Sequence, residues 1–169
     1  MLLPYSKLCH VVLIACCKGA NAYTTCRDVL EQLGETIPQF LEPEQTRKMI
    51  EATSETVQNL LETDLLEMKE MDSNLSISLK FYCLMATVAN FVKPHMLPFL
   101  SCRSIALTMK HGICKYSIVG FCQYAAVKAS RPTTEDIQEA SRLGKAALSC
   151  LKKRYHSADI VAQVPMVYL

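Results

Sequence analysis

Apolar residues along this chain recur three and four positions apart, in blocks punctuated by glycine and proline, and that spacing predicts helices throughout. Pro4 suits a first helical turn, and a helix is expected over Tyr5–Lys18 with Gly19 to end it. A second is expected from Ala20 to Leu33, with Tyr23, Cys26, Val29, Leu30 and Leu33 on its apolar face and Gly34 and Pro38 to stop it. These two should pair as an antiparallel hairpin. Pro43 opens a third helix with Met49 or Ile50, Thr53, Val57 and Leu60 on one side. An acidic stretch carrying Leu65, Leu66, Met68 and Met71 follows, as a short helix or turn.

Asp72 or Ser73 caps the next helix, which repeats Leu75, Leu79, Tyr82, Ala86 and Ala89. Ile77, Phe81, Leu84, Met85, Val88 and Phe91 make it apolar on most sides, so it is expected at the buried centre of the fold. Pro94 and Pro98 mark the start of a fifth helix and His111-Gly112 its end, and a sixth runs from about Lys115 to Ser130. Thr133 with Asp136 three residues on is a variant of the capping box, opening a seventh helix that reaches Tyr155. Its acids, Glu135, Asp136 and Glu139, stand at the start and its bases, Lys152, Lys153 and Arg154, at the end, as the helix dipole favours. The tail from Asp159 to Leu169 is apolar and should present an unpaired face. No stretch alternates long enough to form a strand, so the class is all-α.

Small and apolar residues share one helical face at Ala22, Cys26 and Val29, and again at Ala140, Gly144 and Ala147. Such stripes let helices approach closely, which predicts antiparallel helical hairpins stacked as a short tetratricopeptide-like α-solenoid. The second stripe is expected to face the preceding helix around Gly120 and Tyr124. The Leu, Gly and Tyr positions of a regular tetratricopeptide are not kept, so the repeat is degenerate. Residues 1–169 are expected to form a single helical repeat-like domain, itself a piece of a larger multidomain protein.

Half of the 169 residues are hydrophobic and 20% charged, enough apolar surface for a packed core and too little charge for a disordered chain. The net charge of +2 supplies no field that would gather nucleic acid. Its distribution is uneven: 12 of the 16 acids lie between Asp28 and Asp72, and the chain beyond is mainly basic. Arg142, Lys145, Lys152, Lys153 and Arg154 are expected to form a partner-facing basic edge, with a basic helix end as the plainer account.

Nine cysteines contain no C-x-x-C pair, and most fall among Ala, Leu and Val, where a thiol packs as a small hydrophobe. That pattern points to reduced, buried thiols and a cytoplasmic setting. A rival reading takes residues 1–22 as a secretory signal, since Lys7 precedes the apolar run Leu8–Cys17 and Ala20-Asn21-Ala22 resembles a cleavage site. His10 and Lys18 oppose it, and the run is too short to span a bilayer. It would make the chain a secreted or membrane-associated cysteine-containing helical protein. An enzyme built on a Cys/His pair is the other alternative.

Chemistry-bearing motifs are scarce. Gly144-Lys145 lacks both the earlier glycine and the following hydroxyl of a phosphate loop, and neither H-R-D nor D-F-G occurs. His111 and Cys114 stand three apart, yet Gly112 intervenes and no second pair completes a metal set. Tyr116, Phe121 and Tyr124 fit a core better than a base-stacking platform. No catalytic, cofactor-binding or metal-ligating residue is therefore assigned, no cofactor is expected, and the partners expected are proteins or neighbouring domains, with neither nucleic acid nor membrane.

Three runs carry a family resemblance: CRDVLEQLGETIP from Cys26 to Pro38, IALTMKHGICKYS from Ile105 to Ser117 with GFCQYA from Gly120, and RLGKAAL from Arg142 to Leu148. In that order they resemble the helical region that follows the ATPase domain in large signalling ATPases, among them multi-sensor histidine kinases and serine/threonine kinases with an AAA-like or STAND-type module. The resemblance spans about Tyr5 to Leu169. It implies an α-solenoid that transmits or scaffolds signals between a nucleotide switch and output domains. It carries over no catalytic residue, because the family's phosphate loop and kinase motifs have no counterpart here.

Overall fold

A computed structural model describes residues 20–131 and 133–155. Among these residues the secondary structure is helical: α1 (Ala20–Gln32), α2 (Pro43–Val57), α3 (Glu62–Glu67), α4 (Ser73–Val92), α5 (Leu97–His111), α6 (Lys115–Ala129) and α7 (Thr134–Cys150). A 3₁₀ turn, Pro94–Met96, leads into α5, and a π turn, Leu151–Tyr155, extends α7. The all-α class holds for the described residues. The expected helix over Tyr5–Lys18, its hairpin with α1, and the apolar tail from Asp159 lie outside them.

Helix ends follow the local chemistry. Asp72 caps α4 by accepting from the Asn74 N–H at 2.8 Å. Thr133 caps α7 by accepting from the Asp136 N–H at 3.1 Å, while its own hydroxyl donates to the Asp136 carboxylate at 2.7 Å. The expected capping box is thus half made, since the Asp136 carboxylate is engaged by the Thr133 hydroxyl, Lys128 and Arg131. Gly112 ends α5 with φ of 104°, a conformation that penalises a side chain, and a Cβ there would strike the Lys69 carbonyl. That crowding has a purpose. The Ile113 N–H donates to Lys69 O at 2.8 Å and the Met71 N–H to Ile113 O at 2.9 Å, tying the segment before α4 to the α5–α6 turn.

Helix α4 is the centre. Leu79, Phe81, Tyr82, Met85, Ala86 and Ala89 are fully buried, as the sequence predicts for Leu79, Tyr82 and Ala86. By length and composition α4 would pass for a membrane span, but 56% of that window is buried against the other helices. Its last turn departs from the expected pattern, with Phe91 at 86% exposure. Helix α1 packs on α4, α5 and α6 follow it, α2 lies on α5, and α7 pairs most extensively with α6 while also meeting α3. Directions are set by single contacts. The Thr108 and Ser117 hydroxyls meet at 2.9 Å and Gly120 sits against Ser104, so α5 and α6 are antiparallel. The Cys83 thiol donates to Tyr116 O, and Gln123 Nε2, two turns further along α6, donates to Cys83 O at 3.5 Å. Asn90, near the end of α4, lines a cavity with Ala126 and Val127 near the end of α6, so the two helices are parallel.

Gly120 sets the α5–α6 separation. A Cβ built on it would lie 2.8 Å from the Ser104 Cβ, closer than real side chains approach. Gly120→Ala should push the two helices apart and cost about 1–3 kcal/mol, read as a lower urea midpoint at unchanged m-value.

Candidate functional site

Ala22, Cys26 and Val29 are buried on the face of α1 that packs against α4. Ala140, Gly144 and Ala147 are buried on α7, whose main neighbour is α6. Gly120, expected opposite that second stripe, instead turns its bare side to Ser104 of α5. The close approach it permits is between α5 and α6, because three helices crowd α6 and the one position without a side chain goes to the tightest crossing.

The basic edge divides. Arg142 donates to the carbonyls of Leu60 and, at 2.7 Å, of Val57, beyond and at the end of α2, where Val57 O also accepts from the Leu60 N–H at 3.1 Å. Arg154 donates to Leu65 O and Leu66 O at 3.1 Å and Met68 O at 2.7 Å, closing the end of α3, and pairs with Glu70 at 2.6 Å. Lys153 meets Glu62 at 2.6 Å in solvent. A planar guanidinium with five donors suits the fan of carbonyls at a helix end better than an ammonium would. Lys145 and Lys152 stay exposed. The expected partner-facing edge is thus corrected for Arg142 and Arg154, whose donors face inward onto the acidic half of the chain. Sequence reasoning had no means of seeing this, since the carbonyls they cap carry no residue signature.

Behind this edge lies an ion cluster that the sequence pattern did not single out. Lys128 is 4% exposed and contacts Asp136, Glu139 at 3.0 Å and the Ser54 hydroxyl at 3.2 Å. Ser54 donates to Glu139 at 2.6 Å, and Arg131 lies 3.4 Å from Asp136. Burial by itself would drive the Lys128 proton off, but hydrogen bonds from the ammonium to Asp136 and Glu139 outweigh it and raise its pKa. Asp136 is held below its ordinary value: burial opposes, and the bonds from Lys128 and Thr133 prevail. A serine beside a lysine invites a nucleophile reading, yet a lysine held protonated cannot take the hydroxyl proton. The cluster joins α2, α6 and α7 electrostatically. One signal was available, because Lys128 stands four residues after Tyr124 on the apolar face of α6, where a cation needs a partner.

A second tie links the loop after α1 to the core. Glu35 accepts from the Tyr82 hydroxyl and from Arg103 Nε, each at 2.8 Å. Burial would raise its pKa, but the bonds from Arg103 and Tyr82 lower it.

The described cysteines, Cys26, Cys83, Cys102, Cys114, Cys122 and Cys150, are buried thiols, with no disulfide among them. Burial pushes the Cys102 thiol up to about 11 and Cys122 to about 12, far from the thiolate that nucleophilic chemistry needs. Among the described residues no three of His, Cys, Asp and Glu gather as a metal site. Cys9, Cys16, Cys17, His10 and His156, with the suggested signal up to Gly19, lie outside the described residues.

No protein-family model, curated protein or solved structure matches this chain.

Lys128→Met should strand two buried carboxylates and cost about 3–5 kcal/mol in a urea titration. Arg154→Ala, which takes the guanidinium from the carbonyls of Leu66 and Met68 and leaves Leu65 O to the Cys150 thiol, should cost about 1–3 kcal/mol. Lys153→Ala, removing an exposed pair, should leave the midpoint almost unmoved. The pH dependence follows from the lowered carboxylates. The unfolded chain takes up these protons near the ordinary values, about 4, and the folded chain only at lower pH. Stability should therefore be full above about pH 5 and fall as pH drops through 4 and below, a fall that Asp136→Asn partly flattens in thermal melts. Lys128 acts in the opposite sense, its contribution lost only as pH rises past its own raised value.

Proposed function

We infer that this chain is a non-catalytic helical scaffold, a protein-interaction segment of a signal-transduction ATPase or kinase, working in the cytoplasm on protein partners or on neighbouring domains of its own polypeptide. One observation carries the reading. The central helix is mostly buried from Ser78 to Ala89 and then presents Phe91 at 86% exposure, with Val92 beside it at 36%. An aromatic held out on a rigid element is the form that binding anchors take, because it offers a large apolar area at little cost in side-chain entropy.

Other features support it. The successive α5–α6 and α6–α7 pairs supply the antiparallel hairpins of a tetratricopeptide-like stack, and α7 braces its side by returning to α3. Buried ionisable groups are committed to joining helices, and buried thiols with no disulfide among them suit a reducing compartment. The sequence runs that resemble the helical region of signalling ATPases point the same way.

Photo-crosslinking tests the reading. With a benzophenone amino acid in place of Phe91, the protein expressed in its own cells should give a discrete protein adduct, and the same group at exposed Gln138 should not. Phe91→Ala should abolish competition for that adduct yet shift the thermal midpoint little, as an exposed side chain allows. Equal or absent adducts at both sites would remove the support from Phe91. Saturable micromolar binding of magnesium ATP in calorimetry would overturn the non-catalytic assignment.

A further inference from the structure

Between the α2–α3 turn and α7 the surface opens into a cavity of about 440 Å³. Leu60, Leu61 and Ala146 form its apolar wall, and Glu62, Arg142 and Lys145 are its charged members. Leu61 is 58% exposed, so that wall is open to solvent and to anything that docks there.

The charges around it do not balance. Its carboxylate, Glu62, is already held by Lys153 at 2.6 Å and by the Ser149 hydroxyl at 2.8 Å, and Asp64, the next acid on α3, accepts from the Leu61 N–H at 2.8 Å. Arg142 donates to the carbonyls of Leu60 and Val57, which are neutral, so its charge meets no carboxylate among the described residues. Lys145 is exposed and makes neither ion pair nor hydrogen bond among them. Standing three apart on α7, the two cations share a face. The guanidinium is half-buried and fixed by its carbonyls, so its charge cannot turn away, and an apolar surround strengthens its field. A dense polyanion matches this poorly, because Glu62 and the apolar wall lie among the cations; a carboxylate next to an apolar side chain matches both features. We propose that this cavity docks an acidic peptide segment of a protein partner, an apolar side chain lying on Leu60, Leu61 and Ala146 and a carboxylate meeting Lys145 in the field of Arg142. That the partner is a protein rests on the scaffold reading, but the site does not depend on Phe91, since no residue of α4 lines it.

Titrating the ¹⁵N-labelled full chain with acetyl-Glu-Glu-Leu-Glu-Glu-amide and, separately, with its counterpart carrying Gln for every Glu tests the assignment by chemical-shift changes. The acidic peptide should saturate at millimolar concentration or below, moving the backbone signals of Leu61, Lys145 and Ala146, and the Gln peptide should bind at least tenfold more weakly. Salt at about 1 M, where the screening length is about 3 Å, should weaken the acidic peptide at least fivefold. Lys145→Glu, an exposed change that should leave the thermal midpoint almost in place, should weaken it at least tenfold. Leu61→Gln, which makes the open wall polar, is the second variant and should weaken it at least threefold. The titration is read without Phe91: loss of the photo-adduct would leave this site standing, and loss of peptide binding would leave Phe91 standing. Equal binding of the Gln peptide, tighter binding of the polyanion octathymidylate, shifts away from Lys145 and Leu61, or unchanged affinity in both variants would each overturn the proposal.

Discussion

The capping of helix ends by arginine is the interaction on which the rest of this fold depends. Helix α3 is short and acidic, and both α2 and α3 finish with backbone carbonyls that have no partner within the helix. Arg142 supplies donors to the first set and Arg154 to the second. Both arginines lie on one continuous element, α7 and its π turn, so that element acts as a splint along the segment from Ser54 to Glu70. The contacts keep step: Ser54 with Glu139, Val57 with Arg142, Leu65 with Cys150 and Glu70 with Tyr155 are each 85 residues apart. A constant offset means the two stretches run parallel, which brings residues far apart in the chain into register. The π turn belongs to this arrangement, since widening the last turn redirects the residues after Cys150 and carries Arg154 to the end of α3.

The uneven charge of the chain takes its meaning from the same contact. An acidic first half and a basic second half, viewed along the sequence, suggest surfaces for a charged partner. Folded, part of each serves the other. Glu62 and Glu70 meet Lys153 and Arg154, while Lys128 in the interior balances Asp136 and Glu139. These contacts differ in weight. The exposed Lys153 pair is screened by water and contributes little, whereas the buried Lys128 cluster is costly to assemble and more costly to break. A cluster of that kind penalises alternative packings of α2, α6 and α7, because any of them leaves a charge inside without its counter-ion.

The surface left over has a different character from the interior. Phe91 stands out beyond the buried part of α4, and a cavity between the ends of α4 and α6 is lined by Pro94, Leu97, Pro98 and Val127 among others. Both features sit where α4 hands over to α5 through a proline-bearing turn. The reversal at Pro94–Met96 is short, so the ends of α4 and α6 are held side by side and the start of α5 cannot cover them.

The helices, their order and the central position of α4 were legible in the chain, because apolar spacing, Asp72, Pro43, Gly112 and Thr133 act over a few residues and need nothing distant. The burial of both small-residue stripes was legible for the same reason. That the first stripe meets α4 was not. Gly120 reads as part of the contact with α7, but only the three-dimensional crowding around α6 directs it to Ser104. The arginines were visible as charges and misread as an edge for partners, since backbone carbonyls are identical at every residue and sequence does not record which ones lack a donor. Lys128 shows the same division in one residue: its place four positions after Tyr124 is a local fact of the chain, and only the fold supplied Asp136, Glu139 and Ser54 from two other helices to keep it charged in the interior. Local propensity determined where the chain would be helical; the long-range matching of donors to acceptors, which depends on distance through space, decided how those helices were assembled.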